Sequence, residues 1–296
     1  MAYEPIFKPF AARPKSQYFS NPYMLLSLVK DNYSLHVWLL VGAVIQGLIC
    51  LLPYRNIALV APAFLFLGYE IVTTLLKAFG ITHNPYMNNV IPGRTAVVFP
   101  SEKGTHEEPA GSSLCAIMLA VRSNHPLGVF GPGYNTVGDY FRRMMEQLDA
   151  ESKQWGYLGA SPWLSVADRG VQSEYMVMVY FENEDYMHQF AHGPLHTETM
   201  EWWRRDLDKL AHISIMHEVY AAPKKSWEGI YANYAPTGLG RVTKAATTVD
   251  GNEVWLNTLV KGKGRLAYSK GRMGRVYDQQ SEWSAFDSTL NAEERA

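Results

Sequence analysis

The sequence predicts an α+β protein in which a ferredoxin-like domain follows a two-helix transmembrane hairpin. Residues 113–240 contain the element order strand, helix, strand, strand, helix, strand, which is the ferredoxin-like pattern. Residues 35–52 and 57–76 form two apolar runs, each about as long as a bilayer-spanning helix. Residues 217–240 concentrate aromatic and polar side chains at the end of the predicted domain, which indicates a binding pocket there.

The two apolar runs are almost free of charge. Residues 35–52 include 18 positions without an acid, Lys or Arg, and residues 57–76 include 20 positions with one acid, Glu70. A short turn that begins at Pro53 separates them, so residues 35–76 predict a transmembrane helical hairpin. The alternative is a pair of buried helices in a soluble protein. An ionisable group inside a membrane helix is a functional candidate by default, although Glu70 can instead face a polar residue of the partner helix.

Positive charge before the hairpin indicates its orientation. Residues 1–34 carry four Lys and Arg residues, whereas the turn carries only Arg55. Because cytoplasmic segments are enriched in these residues, both termini are expected on the cytosolic side. Residues 1–34 then form a cytosolic N-terminal segment. The domain is expected on the cytosolic face of an internal membrane, which we take to be the endoplasmic reticulum.

The first half of the domain follows a polar connection. Residues 77–112 are rich in turn-forming and polar residues and predict a linker. A buried strand at residues 113–121 and a helix at residues 139–148 come next, the helix with apolar positions at helical spacing. Residues 157–166 predict an irregular strand, and residues 174–181 predict a strand that is apolar on both faces. Such a strand needs cover on both sides, which predicts a homodimer formed through the sheets.

The second half of the domain shows helix boundary residues. Asn183 precedes two acidic residues and is typical of a helix N-cap. The dipeptide Gly193-Pro194 predicts a break, after which a helix restarts with Pro194 at its first position and runs to about Leu210. Residues 212–221 predict the last strand of the sheet.

Residues 241–296 predict a basic C-terminal tail. Six positive charges fall within 15 residues that contain no acid: Lys261, Lys263, Arg265, Lys270, Arg272 and Arg275. This stretch either lies on anionic lipid or forms a solvated, glycine-rich loop. Trp255 and Leu256 indicate that part of the tail packs on the domain.

Composition excludes several function classes. A net charge of −1 gives no support for nucleic-acid binding. The two cysteines, Cys50 and Cys115, argue against a disulfide framework and fit a reducing compartment. No P-loop, dinucleotide-binding or nucleophile-elbow motif is present in the sequence.

The cluster at residues 217–240 has the make-up of a pocket wall, apolar in bulk with a few polar groups. Its members are His217, Glu218, Tyr220, Trp227, Glu228, Tyr231, Asn233 and Tyr234. Strand periodicity puts His217 on one face with Ile215 and Val219, and Glu218 on the other. The pattern leaves open which of His217 and Glu218 faces the pocket.

Two sequence stretches carry a family resemblance: YFENEDYMHQFAHGPLHTETMEWWRR and HEVYAAPKKSWEGIYANYAPTGLG. They resemble the dimeric α/β-barrel monooxygenases of antibiotic biosynthesis. The resemblance is closer to the fungal and bacterial family that includes the fumagillin polyketide monooxygenase. It implies a barrel made by two ferredoxin-like units, hence a homodimer. It also implies oxygenation of a secondary metabolite, often without metal or flavin.

The implied oxygenase chemistry needs few protein groups. A cofactor-free oxygenase removes a proton from an electron-rich phenol or enol, and the carbanion passes an electron to oxygen. His217 or His196 is the candidate base, because histidine titrates near neutral pH. Asn233, Trp227 and Tyr231 are candidate donors to the enolate oxygen. For Trp227 and Tyr231 the alternative is plain core packing.

The spacing of three histidines raises the question of a metal or haem. His188, His192 and His196 recur every four residues, as metal ligands on one helix can. The Gly193-Pro194 break disrupts that shared face, so no metal site is predicted. Haem is the alternative to a cofactor-free site, because the haem-containing aldoxime dehydratases share the ferredoxin-like ground plan and use a histidine ligand.

These expectations combine into a membrane-anchored monooxygenase that acts on a hydrophobic polyketide or terpenoid. A hydrophobic substrate explains the anchor, because such molecules partition into lipid. One alternative is a lyase, isomerase or cyclase that uses the same pocket for acid–base chemistry. Another is a non-catalytic, membrane-tethered scaffold subunit.

Overall fold

The computed structural model describes residues 2–20, 22–165, 170–247 and 251–275, which form helices and three antiparallel sheets. The helices are Met24–Asp31 (α1), Leu35–Ile49 (α2), Arg55–Ala78 (α3), Tyr134–Ala150 (α4), Glu184–Ala191 (α5), Pro194–Arg205 (α6) and Ser269–Arg272 (α7). The strands are Ile91–Val97 (β1), Leu114–Ser123 (β2), Tyr157–Leu164 (β3), Tyr175–Phe181 (β4), Ile213–Ala222 (β5), Ile230–Tyr234 (β6), Thr243–Thr247 (β7), Glu253–Asn257 (β8) and Leu259–Lys261 (β9).

The central sheet has the strand order β3-β4-β2-β5, with all neighbours antiparallel. Its chain order is strand, helix, strand, strand, helix pair, strand, so the predicted ferredoxin-like α+β pattern is confirmed. Val177, Val179 and Phe181 of β4 are almost fully buried and belong to one core cluster with Met145 and Leu148 of α4. The period-two alternation of β4 therefore directs these side chains toward the helices.

The predicted N-cap and helix break of this domain are confirmed, whereas α4 begins at Tyr134 instead of residue 139 and α6 ends at Arg205 instead of about Leu210. The side chain of Asn183 accepts a hydrogen bond from the backbone N–H of Tyr186 at 3.1 Å, as an N-cap residue does. α5 ends at Ala191, and α6 begins with Pro194, whose missing N–H costs nothing at the first helical position. The break at Gly193 separates α5 from α6.

The segment predicted as a linker, residues 77–112, contains a strand, so that boundary was wrong. β1 pairs with β6 and with β9, and Ala96 and Val97 are fully buried. Two of the turn-forming residues that suggested a linker, Pro92 and Gly93, lie in a register shift between Ile91 and Arg94. Gly93 there has a φ of 77°, a left-handed conformation that glycine adopts at low cost. A bulge therefore accommodates a turn-like sequence inside a strand.

The described residues of the predicted tail also belong to the fold; residues 248–250 and 276–296 of this tail lie outside the described residues. Trp255 and Leu256 are buried, which confirms that this part packs on the domain. Arg272 is buried, forms an ion pair with Glu228 and donates to the carbonyls of Leu266 and Ala267. This cation therefore lies neither on lipid nor in a solvated loop.

The N-terminal segment is likewise part of the domain rather than a separate unit. Pro5 and Phe10 form isolated β-bridges with Val260 and Trp255. Tyr18 is buried in the core cluster between the sheet and α4. The compact domain therefore includes residues on both sides of the helical hairpin and extends well beyond the predicted limits of 113–240.

The helical hairpin stands apart from this core. α3 has 24 residues and a mean hydropathy of 1.8 in its most apolar window, so its length and composition suffice to cross a membrane. α2 has 15 residues and meets the same criterion only together with α1, from which it is bent by 95°. The side-chain nitrogen of Gln46 donates to the carbonyls of Ala58 and Leu59 at 2.9 and 2.8 Å, which fixes α2 against α3.

Arg13 provides a test of whether the N-terminal segment stabilises the domain. It forms an ion pair with Asp149, and both side chains are about nine-tenths buried, at 10% and 12% exposure. Its guanidinium lies 5.0 Å from the ring centre of Tyr157 and 5.5 Å from that of Trp255. Arg13→Ala leaves a buried carboxylate unpaired, so we expect the free energy of unfolding to fall by about 3–5 kcal/mol.

Denaturation of the full chain in detergent measures this loss. The matched control is Arg13→Met combined with Asp149→Leu, which removes both charges and should restore most of the stability. If Arg13→Ala unfolds at the wild-type denaturant concentration, the N-terminal segment contributes nothing to the fold.

Candidate active site

The central sheet has two faces that are covered differently. One face, the helix face, carries Ile117 and Leu119 of β2 against α4 and α5. The other face carries Met118 of β2 and Met178 of β4, which are paired across the two strands. One end of this second face is covered by the cluster that contains Trp227. We call the second face the open face.

His217 and His196 come together on the helix face. His217 lies on β5 directly opposite Leu119, so its side chain is on the side of the helices, where it is exposed. His196 lies in the first turn of α6 and is half-buried. The two imidazoles are close enough for His217 to influence the titration of His196. Two predicted site residues, one on α6 and one on the strand that follows it, therefore lie on the same side of the central sheet.

The environment of His196 favours its neutral form. Burial lowers its pKa below the ordinary histidine value, a hydrogen bond with the backbone of Ala191 opposes this, and His192 and His217 lower it further. A neutral imidazole near pH 7 can accept a proton. His196 thus has the protonation state that a general base needs, beside a second imidazole.

Glu218 lies on the open face, whereas His217 lies on the helix face. Glu218 is directly opposite Met118, and its carboxylate accepts a hydrogen bond from the hydroxyl of Tyr220. That hydrogen bond and the carboxylate charge raise the pKa of Tyr220. His217 and Glu218 therefore serve different faces of the sheet and do not share one pocket.

Trp227 is a core residue. It is 7% exposed, and its ring contacts Phe99 edge-to-face with 5.2 Å between ring centres. Its indole N–H donates to the backbone carbonyl of Ser112 at 2.8 Å. Because indole has a single donor hydrogen, a donor role toward substrate would require this bond to break.

Tyr231 and Asn233 stabilise the sheet formed by β1, β6 and β9 and the turn that follows β6. The Tyr231 hydroxyl donates to the carbonyl of Thr237 and accepts from the N–H of Gly240, both at 2.9 Å. Burial raises its pKa to about 12. Asn233 has a φ of 48° and accepts from the N–H of Gly93 at 2.8 Å through Oδ1. The donor roles predicted for Asn233, Trp227 and Tyr231 remain predictions, since the bonds seen here are structural.

A tyrosine group on the helix face was missed by the sequence interpretation. Tyr18, Tyr134 and Tyr175 are near enough to affect one another electrostatically, and burial raises the pKa of Tyr134 to about 12. The Tyr175 hydroxyl donates to the sulfur of Met24 at 2.8 Å. These residues come from α1, α4, β4 and the N-terminal segment, so no local pattern could have indicated their proximity.

The positions of the potential ligand side chains show whether the described residues could hold a metal ion. Among residues 2–20, 22–165, 170–247 and 251–275, no group of three or more His, Cys, Asp or Glu side chains could hold a metal ion. The helix break explains why the histidine repeat at 188, 192 and 196 forms no such group. A haem requires only one histidine ligand, so this criterion does not test the haem alternative.

Comparison with known proteins identifies the class. A model of the family described as "Monooxygenase af470-like" matches residues 114–239. The chain is also 30% identical over 276 residues to the monooxygenase af470 of Aspergillus fumigatus, which covers 92% of this chain and 98% of that protein. The fold and these matches define an oxidoreductase of the monooxygenase type. The chain belongs to the monooxygenase af470-like family, so the resemblance read from the two sequence stretches is confirmed.

Solved structures give more distant likenesses. SnoaB from Streptomyces nogalater, a cofactor-independent oxygenase, is 12% identical, covering 38% of this chain and 94% of its own with a TM-score of 0.27. A putative antibiotic biosynthesis monooxygenase from Bacillus cereus is 18% identical, covering 38% and 94% with a TM-score of 0.24. An aldoxime dehydratase is 12% identical, covering 54% and 44% with a TM-score of 0.32. Such low scores assign neither an activity nor a cofactor to this chain.

Trp227→Phe separates packing from substrate contact. The variant keeps an aromatic ring against Phe99 and removes only the N–H that bonds to Ser112. We expect the free energy of unfolding to fall by about 1–3 kcal/mol, because a buried carbonyl loses its donor. The turnover of the folded fraction should stay at the wild-type level. A large fall in kcat with an unchanged melting temperature would instead establish Trp227 as a donor to the substrate.

Proposed function

We propose that this protein is a membrane-anchored monooxygenase that oxidises a hydrophobic secondary metabolite, a polyketide or terpenoid, without metal or flavin. Family membership supports the reaction type. The observation that carries the proposal is that His196, whose pKa is lowered by burial, and the exposed His217 lie on the helix side of the sheet, near its apolar core. A hydrophobic substrate with one acidic C–H or O–H group matches such surroundings.

The proposed reaction needs no external reductant if the substrate supplies the electrons. A substrate CH2 group next to a phenol or enol loses a proton to His196 or His217. The carbanion then reduces dioxygen, one oxygen atom becomes the product carbonyl, and the other leaves in water. The balance is R2CH2 + O2 giving R2CO + H2O. The protein must supply the base and a donor to the enolate oxygen.

Asn233 has amide hydrogens that can donate, but it lies on β6, in the sheet beside the open face, and so does not share a face with His196 and His217. Its bond to Gly93 uses the acceptor oxygen Oδ1, whereas the hydrogens of the amide are on Nδ2. Trp227 and Tyr231 have donated their only polar side-chain hydrogen to backbone carbonyls. We propose that they stabilise the fold on the side of the open face instead of touching the substrate.

We also propose that α2 and α3 form the membrane anchor, with the domain on the cytosolic face of the endoplasmic reticulum. The composition and length of α3 support one span. Gln46 ties α2 to α3, and the two helices carry exposed apolar side chains such as Leu39 and Phe66. An anchor places the enzyme beside substrates that dissolve in lipid.

Oxygen consumption by the purified full chain tests the proposed activity. We would assay a panel of phenolic and enolic polyketides and terpenoids with labelled dioxygen, and record the absorbance spectrum for haem and flavin. The expected result is incorporation of one labelled atom per product, without haem or flavin absorbance. His196→Gln and His217→Gln should identify the base through a fall in kcat of about 100- to 10,000-fold in one of them.

Two outcomes contradict this proposal. Conversion of substrate without oxygen uptake favours a lyase, isomerase or cyclase, for which the Glu218–Tyr220 pair on the open face offers acid–base groups. Wild-type turnover in both histidine variants places the base elsewhere. Because His196 is half-buried, its variant also requires a melting temperature as a folding control.

The pH dependence of kcat/KM gives a second readout if His196 is the base. Burial lowers the pKa of His196, so the neutral form persists below the ordinary histidine value of about 6.5. Activity should be retained through that value and be lost only as the pH falls through the lower pKa of the folded enzyme. An acid limb at or above the ordinary value would exclude His196 as the base.

We further propose that two copies associate through their open faces. Met118 and Met178 lie on this face, and Trp163 and Tyr220 are 43% and 54% exposed there. A sheet face of this composition is rarely left to solvent. A second copy would cover it with the same surface, as a two-fold dimer requires.

Met178→Glu tests this association. A charge at the centre of the open face should convert dimer to monomer, because it would be desolvated without a partner in the interface. The mass of the detergent complex by light scattering is the measurement. Met200→Glu on α6, which is already 38% exposed, is the matched control and should leave the mass unchanged. A dimer of wild-type strength in Met178→Glu would place any interface elsewhere.

A further inference from the structure

We propose that the domain itself docks on the bilayer, through the outer side of α1 and the loop after β2. This docking face consists of Tyr23, Leu25, Leu26, Leu127 and Phe130. The inference rests on the proposed membrane anchoring by α2 and α3. It goes further, because it assigns a lipid contact to the compact domain and fixes how the domain is oriented on the membrane.

α1 is apolar on the side that faces away from the domain. Tyr23, Leu25 and Leu26 are 67%, 69% and 54% exposed. On the inner side, Met24 packs against the core cluster and its sulfur accepts the hydrogen bond from Tyr175. A helix with one side on a domain and an apolar outer side in water lacks the polar surface that solvent favours. Its outer side needs an apolar partner.

The loop after β2 continues the same apolar surface. Leu127 and Phe130 are 53% and 56% exposed. Asn32, which directly follows α1, donates to the carbonyl of Leu127 at 3.3 Å and accepts from the N–H of Val129 at 2.8 Å. Gly128 permits this approach, since a Cβ there would lie 1.7 Å from the Asn32 side-chain oxygen. The loop and α1 are therefore held together.

The junction between α1 and α2 is braced. The carboxylate of Asp31 accepts from the N–H and the hydroxyl of Ser173, at 2.6 and 3.1 Å. Across the bend, the indole N–H of Trp38 donates to the carbonyl of Lys30 at 3.0 Å, and its ring packs on Tyr33. α1 and α2 meet at 95°. If α2 enters the bilayer near its normal, α1 lies along the surface with its apolar side away from the domain.

Lipid fits the docking face better than a protein partner because the face is continuous with the hairpin. Three residues separate the end of α1 from the start of α2, and no residue of α2 or α3 is buried within the described part of the chain. Tyr33 and Trp38 lie where an interfacial aromatic belt is expected. Lys30 and Lys77 occupy the last turns of α1 and α3, at the domain end of the hairpin, where cations meet lipid headgroups.

Depth-dependent fluorescence quenching of the full chain tests this inference. A Cys50→Ser background leaves Cys115, which is buried and whose pKa is raised to about 11, so it resists labelling. Single cysteines are introduced by Leu26→Cys and Leu127→Cys, and a bimane label is attached to each. The protein is reconstituted into phosphatidylcholine vesicles whose acyl chains are brominated either near the headgroup or near the chain end.

Two control positions calibrate the measurement. Leu65→Cys, in the middle of α3, reports the span itself, and Glu102→Cys reports an exposed polar loop of the domain. We expect labels at positions 26 and 127 to lose fluorescence most strongly with bromine near the headgroup. The label at position 65 should lose most with bromine near the chain end, and the label at position 102 should lose none.

The outcomes separate this inference from the membrane anchor. If position 65 is quenched while positions 26 and 127 match position 102, the anchor stands and the docking face is overturned. If position 65 is not quenched by either lipid, the anchor fails and the docking inference fails with it. Quenching at position 26 alone removes the loop after β2 from the docking face and overturns the inference as stated.

Discussion

Hydrogen bonds fasten both ends of the helical hairpin to the same domain, and the rest of the arrangement depends on them. At the first end, Asp31 and Asn32 bond to two separate loops. At the second end, β1 pairs on both edges with β6 and β9. Because the chain leaves and re-enters a packed core, the hairpin is an insertion in the domain and not a tether ahead of it. The position of the domain relative to the hairpin follows from this attachment.

The part of the fold that the sequence predicted is the part with local periodicity. β4 has a period-two pattern of apolar residues, Asn183 caps a helix by bonding to a residue three positions away, and Pro194 begins a helix. Each of these features depends on its own segment of the chain, so the sequence predicted it. The sequence predicted neither the strand β1 nor the burial of Arg272. The strand character of β1 depends on partners 130 or more positions away, and the burial of Arg272 depends on Glu228.

The candidate site shows the same division. Period two placed His217 and Glu218 on opposite faces, and the structure agrees, but only helix packing determines which face each one serves. The approach of His196 to His217 depends on where α6 restarts after the break at Gly193. For Trp227 and Tyr231, aromatic and polar character suggested chemistry, whereas their hydrogens are donated to backbone carbonyls. The residue type shows whether a side chain can donate a hydrogen bond, and the fold determines which acceptor receives it.

β5 explains how one strand can serve both chemistry and assembly. β5 is an edge strand of the central sheet and pairs only with β2 among the described strands. Ile215 and Tyr220, on its opposite faces, are 49% and 54% exposed. On the helix face it presents His217 toward His196, and on the open face it presents Glu218 and Tyr220. The strand therefore exposes apolar side chains on both faces of the sheet, and each face favours an apolar partner. A hydrophobic substrate on the helix face and a second copy on the open face would meet these two needs separately, since their polar groups point in opposite directions.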